Sequence, residues 1–366
     1  MTRSVLVTGA GTGPSNNLMR SLAAGDPSLS LVGCHSDRFL LKKSSAPRNF
    51  LIPPVDADDF DRTLRSVIAH TGVDALVPGN DRDTHAVASM LEREALACRT
   101  FLPALSTIDM CQDKFVLSAF LRSRGIPAPL TYELTDRASL IDAWHALNPT
   151  GLAWCRIRRG YASRGATKVR DAEQAWSWIS YWHTMREVAI EEFTLCEFLP
   201  GRDYNVQGLW QHGRLVLVKM CERLSYLNAD QHPSGMASTP AVAKTVWERP
   251  AIEACEAALR AIDPSASGVF NFDLKENRDG VACITEINAG RFAMITNIYD
   301  FTGRHNMAAA YVRLALGEDT GIEDAYDDAG EHYLVRDLDT LPGIFSADAL
   351  FEGVSTLQPT AAPSAV

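Results

Sequence analysis

Four separated stretches carry side chains whose types and spacing suit phosphoryl chemistry. In FNFDLKENRDGVACITEINAGRF, two strands joined at ENRDG would set Asp273 across from Glu286, with Asn288 two residues further along the same face. Two carboxylates and an amide oxygen at one sheet end form a hard-oxygen site suited to Mg2+ bridging nucleotide phosphates. Acids on adjacent strands repel unless a cation joins them. Arg291 follows closely enough to neutralise a transferring phosphoryl group. In CRIRRGYASRGATKV a strand delivers Arg156, and a loop with Gly160, Ser163 and Gly165 returns to the next strand. Glycines there let N–H groups approach phosphate oxygens, while Arg158 and Arg164 add positive charge. DKF puts Lys114 at the start of a helix. CEFLPGRDYNV breaks one strand and begins another. Such a crossing offers backbone groups to a flat base, an apolar floor from Phe198 and Leu199, and a carboxylate for ribose hydroxyls. Each stretch alone also reads as plain structure: a half-exposed hairpin, a solvated turn, a surface lysine, a strand crossover.

The elements that must position these residues fall into three runs. Up to about residue 112, strands at Ser4–Thr8, Leu29–Gly33, Ala75–Pro78 and Thr100–Leu102 alternate with helices at Asn16–Ala24, Phe60–His70 and Asp83–Leu91. That alternation predicts an open parallel sheet with helices on both faces. A helix at Lys114–Arg124 ends at GIPAP, where glycine and two prolines mark a boundary. Next come a helix at Ala138–Ala146, strands at Ala153–Arg158 and Ala166–Arg170, a helix at Asp171–Thr184 and a strand at Val188–Phe193. After FLPG, two antiparallel strands (Tyr204–Trp210, Leu215–Cys221), a helix (Val246–Ile262), two more strands (Gly268–Lys275, Val281–Ile287) and a helix (Asn306–Ala315) follow. The closing STLQPTAAPSAV has the composition of a disordered tail.

Bulk numbers set the frame. The 366 residues allow two or three domains with buried cores, and the net charge of −10 argues against a nucleic-acid or anionic-membrane binder. No apolar run reaches the ~18 residues of a membrane helix. Eight scattered cysteines without C-x-x-C spacing read as buried thiols of a cytoplasmic protein.

The opening VLVTGAGTGPSNN raises a rival reading, a nicotinamide oxidoreductase with its cofactor near Gly9–Gly13 and the ribose on Asp37. The G-x-G-x-x-G fingerprint fails, because its third glycine would fall at Pro14, and no Tyr-x-x-x-Lys stands out for hydride chemistry.

Together, DK, RRGYASRG, EFLPGRDY and FNFDLK…TEINAGRF resemble the ATP-grasp enzymes. The branch is the one that includes carbamoyl phosphate synthase large subunits and pyrrolysine-biosynthesis ligases. The resemblance covers the chain to about residue 317. It implies an α/β fold, α+β in the grasp part: a Rossmann-like pre-ATP-grasp domain (1–112), then an ATP-grasp domain (113–330). The latter has a mobile lid (126–199) and a C-terminal subdomain (200–330), before an extension at 331–366. It implies that Lys114 and Arg156 hold ATP phosphates and that the loop from Gly160 through Ser163 to Gly165 closes over them. Glu197, Phe198 and Leu199 would bind adenine, Asp203 ribose, and Asp273, Glu286 and Asn288 Mg2+ (or Mn2+). Arg291 would face the γ-phosphate or acyl phosphate. Two departures stand out: Ala162 where relatives often carry Gly, and NAGRF, one residue longer than the common NxRF. The glycine turn and PGNDRD (Asn80, Asp81, Asp83) would then border the acceptor crevice, with helix capping as the plainer role for the acids. The implied reaction is an ADP-forming carboxylate–amine ligation through an acyl phosphate, in a possible homodimer. Phosphorylation of carbonate or carbamate, and a non-catalytic ATP-binding module, remain as alternatives. Arg304, Lys219 and Arg223 are further candidates for binding an anionic substrate.

Overall fold

The computed structural model describes residues 3–147, 151–160, 163–232, 234–337 and 352–357. The first unit runs β1 (Ser4–Thr8), α1 (Gly13–Gly25), β2 (Ser30–His35), α2 (Arg38–Leu41), β3 (Arg48–Leu51), α3 (Phe60–Thr71), β4 (Ala75–Val77) and α4 (Asp81–Arg93). Its strands pair in parallel in the order β3-β2-β1-β4. Fully buried Val5, Leu6 and Val7 fit a strand covered on both faces. The predicted strand at Thr100–Leu102 does not form. Arg99 makes a lone bridge to Ala75, and Pro103 ends the run.

Two helices, α5 (Leu105–Gln112) and α6 (Lys114–Ser123), lead into a four-stranded sheet. This holds β5 (Thr131–Glu133), β6 (Ala153–Ile157), β7 (Thr167–Val169) and β8 (Phe193–Glu197) in the antiparallel order β5-β8-β6-β7. Helices α7 (Arg137–Leu147) and α8 (Ala172–Arg186) pack on it, with Trp176, Trp178 and Trp182 against its core. The strand expected at Val188–Phe193 lies later. Glu187 leaves α8 in the left-handed region (φ 55°), Ile190–Glu192 coil into a single turn, and pairing starts at Phe193 opposite Ile157.

The remaining unit is a six-stranded antiparallel sheet. It holds β9 (Asp203–Gln211), β10 (Arg214–Tyr226), β11 (Pro240–Thr245), β12 (Gly268–Glu276), β13 (Ala282–Ala289) and, beyond α9 (Arg249–Ile262), α10 (Thr296–Thr302) and α11 (Met307–Ala315), β14 (Tyr333–Val335). The order is β13-β12-β9-β10-β11-β14. Leu18 and Leu22 of α1 share one core with Leu209, Val269 and Tyr311, which fixes the first unit against this sheet. Burial of each such leucine is worth about 2 kcal/mol. Asn297 and Asn306 donate side-chain N–H bonds to the carbonyls of Asn17 and Ser21, both at 2.8 Å.

The expected tail is ordered in part. β15 (Val354–Thr356) pairs in parallel with β3 as the outer strand of the first sheet. Residues 358–366 and Ala162 lie outside the described residues.

Candidate active site

The β12–β13 hairpin carries the register that its sequence predicts. Asp273 pairs directly with Glu286, and Asn271 with Asn288, so all four side chains share one face. Asp273 Oδ1 accepts from Asn205 Nδ2 at 3.0 Å and from the Arg223 guanidinium, and Glu286 Oε2 lies 3.5 Å from Lys114 Nζ. Asn288 Oδ1 accepts from Arg291 at 2.7 Å. Asp273 Oδ2 and Glu286 Oε1 take no hydrogen bond from the described residues. The donors left over are hard oxygens, which fits Mg2+ rather than a thiophilic metal. No group of three or more His, Cys, Asp or Glu placed to hold a metal ion occurs among the described residues. A metal here would therefore need further oxygens from its ligand.

Lys114 is aimed by its neighbour. Asp113 is 2% exposed and caps α6 by accepting from the N–H groups of Phe115 and Val116. Its carboxylate also takes Arg158 Nε at 2.8 Å and lies 3.2 Å from Arg159, which ties the helix start to the hairpin loop. Burial alone would raise the Asp113 carboxyl, but those donors hold it below the usual carboxylate range. Lys114 Nζ then reaches the Gly160 carbonyl at 2.8 Å.

Arg156 comes from β6, 8% exposed. It donates to the Thr285 carbonyl at 3.1 Å, while its Nε is buried without a partner. An orphaned guanidinium N–H costs free energy unless an anion completes it. The β8–β9 crossing brings Glu197, Phe198, Leu199 and Asp203 to the same space. Glu197 Oε2 accepts from the Leu130 N–H at 3.3 Å. Asp203 is held by Arg223 (3.2 Å), Lys275 (3.3 Å) and the Tyr226 hydroxyl (2.5 Å).

These groups line one cavity of about 740 Å³. It holds Lys114, Arg156, Gly160, Ser163, Glu197, Phe198, Leu199, Asp203, Asp273, Glu286, Asn288 and Arg291. Gly165 does not line it; its carbonyl accepts from Trp178, and a Cβ added there would come within 2.5 Å of Ile157. Of the three further cations, only Arg223 faces the cavity. Lys219 is buried against Asp327 (3.0 Å) and two backbone carbonyls, and Arg304 pairs with Asp324 and Asp327.

The first unit closes the other end of the cavity with the carboxyl ends of its strands: Gly9, Gly13, His35, Ile52–Val55 and Gly79–Asp83. Gly11, at φ 90°, would place a Cβ 1.7 Å from the Leu40 carbonyl, so that glycine serves packing within the unit. Asp37, the ribose candidate of the nicotinamide reading, caps α2 through the N–H groups of Phe39 and Leu40. Asn80 is the cap of α4, Asp81 reaches across to Arg291, and Asp83 accepts from Thr8 and Asn80.

Sequence reasoning missed Asn271, Lys275 and Asn205. The first two share the face of Asp273 at the two-residue period, so that signal was present. It also missed Asp113, whose position before an apolar helical run is a capping signal.

No protein-family model matches the chain, and no curated protein matches it in sequence. Solved structures do match in shape. L-amino acid ligase from Bacillus licheniformis superposes with TM-score 0.64 at 13% identity, over 86% of this chain and 74% of that one. A biotin carboxylase in complex with β-γ-ATP from Campylobacter jejuni gives 0.66 at 12%, over 87% and 71%. Carboxyaminoimidazole ribonucleotide synthase from Aspergillus clavatus, complexed with ATP, gives 0.65 at 15%, over 89% and 80%. The chain has their shared architecture, an ATP-grasp fold preceded by a Rossmann-like α/β unit.

Proposed function

We propose that the chain is an ATP- and Mg2+-dependent carboxylate–amine ligase. The observation that carries this reading is the convergence of all four sequence stretches on one cavity, with the buried Arg156 Nε left without a partner there. The nucleotide supplies the phosphoryl group that activates a carboxylate, and the metal neutralises phosphate charge. Glu197, Phe198 and Leu199 hold the base, and Asp203 the ribose. Lys114 and Arg156 bind the phosphates, with Gly160 and Ser163 lining the same cavity. Asp273, Glu286 and Asn288 offer the metal oxygens. Arg291, brought to Asn288 and Asp81, stabilises charge on the transferring phosphoryl and on the acyl phosphate. No side chain acts as a covalent nucleophile in this scheme; positioning and charge neutralisation do the work.

The test is ADP release from MgATP with a pooled set of the twenty amino acids as carboxylate and amine, product masses being read out. Turnover that Glu286→Ala abolishes supports the reading. Tighter binding of NAD(P)H than of MgATP, with no ADP formed, overturns it.

A further inference from the structure

The charges of the cavity do not balance locally. Asp81, Asp203, Asp273 and Glu286 each have a cationic partner within 4 Å. Two lining carboxylates have no ion pair among the described residues: Glu197 at the end where the base is placed, and Asp83 at the opposite end. Asp83 is partly buried, and burial raises its carboxyl above the usual range, against the Thr8 and Asn80 hydrogen bonds and the nearby Arg82 charge that favour the anion. A partly desolvated carboxylate with hydrogen bonds but no ion pair is stabilised by a ligand that brings a cation.

Its surroundings say what kind of ligand. At this end the cavity is lined by apolar Ile52, Pro54, Val55 and Phe60 of the first unit and by Met294 and Ile295, together with the polar His35, Ser36 and Asn80. The cations at this end are already engaged, Arg82 with Asp56 and Arg291 with Asp81. The titratable groups around Asp83 are few. From β2 these are His35 and the buried Cys34 thiol, and from α4, Arg82. Burial lowers the His35 pKa, and its Nδ1 accepts the Asp37 N–H at 2.7 Å. The neutral ring therefore carries its proton on Nε2 and is a donor rather than a base. That leaves Asp83 as the proton acceptor of the crevice. Asp81, which pairs with Arg291, lines the same cavity, so the crevice and the corner where the acyl phosphate is placed belong to one space.

We propose that Asp83 receives the ammonium group of the amine substrate and takes its proton, and that this amine carries an apolar body seated on the Ile52–Val55 wall. The inference rests on the ligase reading above. One proton passes from the ammonium group to Asp83. The freed nitrogen lone pair attacks the acyl carbon, the C–N bond forms, and the C–O bond to phosphate breaks. Phosphate leaves with that electron pair and takes the second nitrogen proton.

Hydroxylamine separates this role from a structural one, because it is uncharged at neutral pH and needs no base. Wild type and Asp83→Asn, which keeps the shape and the acceptor for Thr8, are compared with MgATP and pooled amino acids, with and without hydroxylamine. The variant should form hydroxamate within about threefold of wild type. Its amide synthesis should fall by roughly 100-fold or more, and recover as pH rises and the free amine accumulates. The favoured amine, identified by product mass, should be apolar. Equal loss of hydroxamate and amide, or loss of neither, overturns the role of Asp83, and a charged favoured amine overturns the substrate class. Absence of hydroxamate from wild type together with absence of ADP removes the ligase reading, and this inference with it.

Discussion

Replacing Arg223 by Met takes one guanidinium from between two carboxylates. Asp203 keeps Lys275 at 3.3 Å and the Tyr226 hydroxyl, but among the described residues the Asp273 carboxylate keeps only Asn205 Nδ2 at 3.0 Å. Removing one partner of a buried pair costs about 3–5 kcal/mol. The remaining partners, and an Asp273 side chain 25% exposed, bring the expectation to about 2–3 kcal/mol. At roughly 2–4 °C per kcal/mol for a chain above 150 residues, Tm should drop by about 4–12 °C. The same substitution bares a metal ligand. In wild type a cationic side chain sits on each proposed ligand: Arg223 on Asp273, Lys114 on Glu286, Arg291 on Asn288. Metal without nucleotide therefore finds the site already compensated. Freeing Asp273 should tighten the binding of Mg2+ alone by about 1.5–3 kcal/mol, roughly tenfold to a hundredfold. Scanning calorimetry in EDTA and in millimolar Mg2+ reads both effects. Mg2+ should restore most of the lost Tm in Arg223→Met and leave wild type nearly unmoved. An equal metal response in the two proteins, or none in the variant, would refute the assignment of Asp273 as a ligand that Arg223 guards.

Two further perturbations test the supports of the site. Asp113→Ala removes both the α6 cap and the Arg158 partner and should cost about 3 kcal/mol in urea unfolding, while Asp113→Asn keeps an acceptor and should cost about half as much. Both should raise the KM for ATP, because Lys114 is the next residue. Stability against pH should bend twice. Burial raises the Asp300 carboxyl to about 6, so the folded state binds its proton more tightly than the unfolded chain, and stability falls by at most about 3 kcal/mol as pH rises from about 4 to 6. Burial opposes, but the Arg304 and His305 N–H groups and Lys219 outweigh it and hold Asp327 at about 2, so its contribution is present above pH 4 and is lost as pH falls toward 2. Thermal unfolding from pH 2 to 7 checks both bends, and Asp300→Asn should flatten the upper one alone.

Much of this was readable from local pattern. The hairpin register followed from alternation on either side of ENRDG, since a slip of one residue would have turned Asp273 and Glu286 to opposite faces. The central strands and most helices likewise came from periodicity over long runs. What local pattern does not contain is adjacency between distant segments. β11, β14 and β15 are short strands at or next to sheet edges, and they exist because a neighbour is there to pair with.

The same limit explains why the metal-ligand candidates were legible and their compensating cations were not. Asp273 and Glu286 sit 13 residues apart on one hairpin, within reach of a local rule. Arg223 meets Asp273 only because β9 lies between β10 and β12, an order set by the local β9–β10 hairpin together with the long-range pairing of β9 with β12. Arg291 meets Asp81 only because the whole first unit docks through α1 onto the six-stranded sheet. Periodicity along β10 puts Lys219, Cys221 and Arg223 on one face but cannot say which of them meets an acid in the cavity. Lys219 ends in a closed pair with Asp327, and Arg223 ends at the cavity wall. A carboxylate motif therefore identifies a candidate metal site from sequence, whereas the state of that site before ligand arrives depends on tertiary pairing.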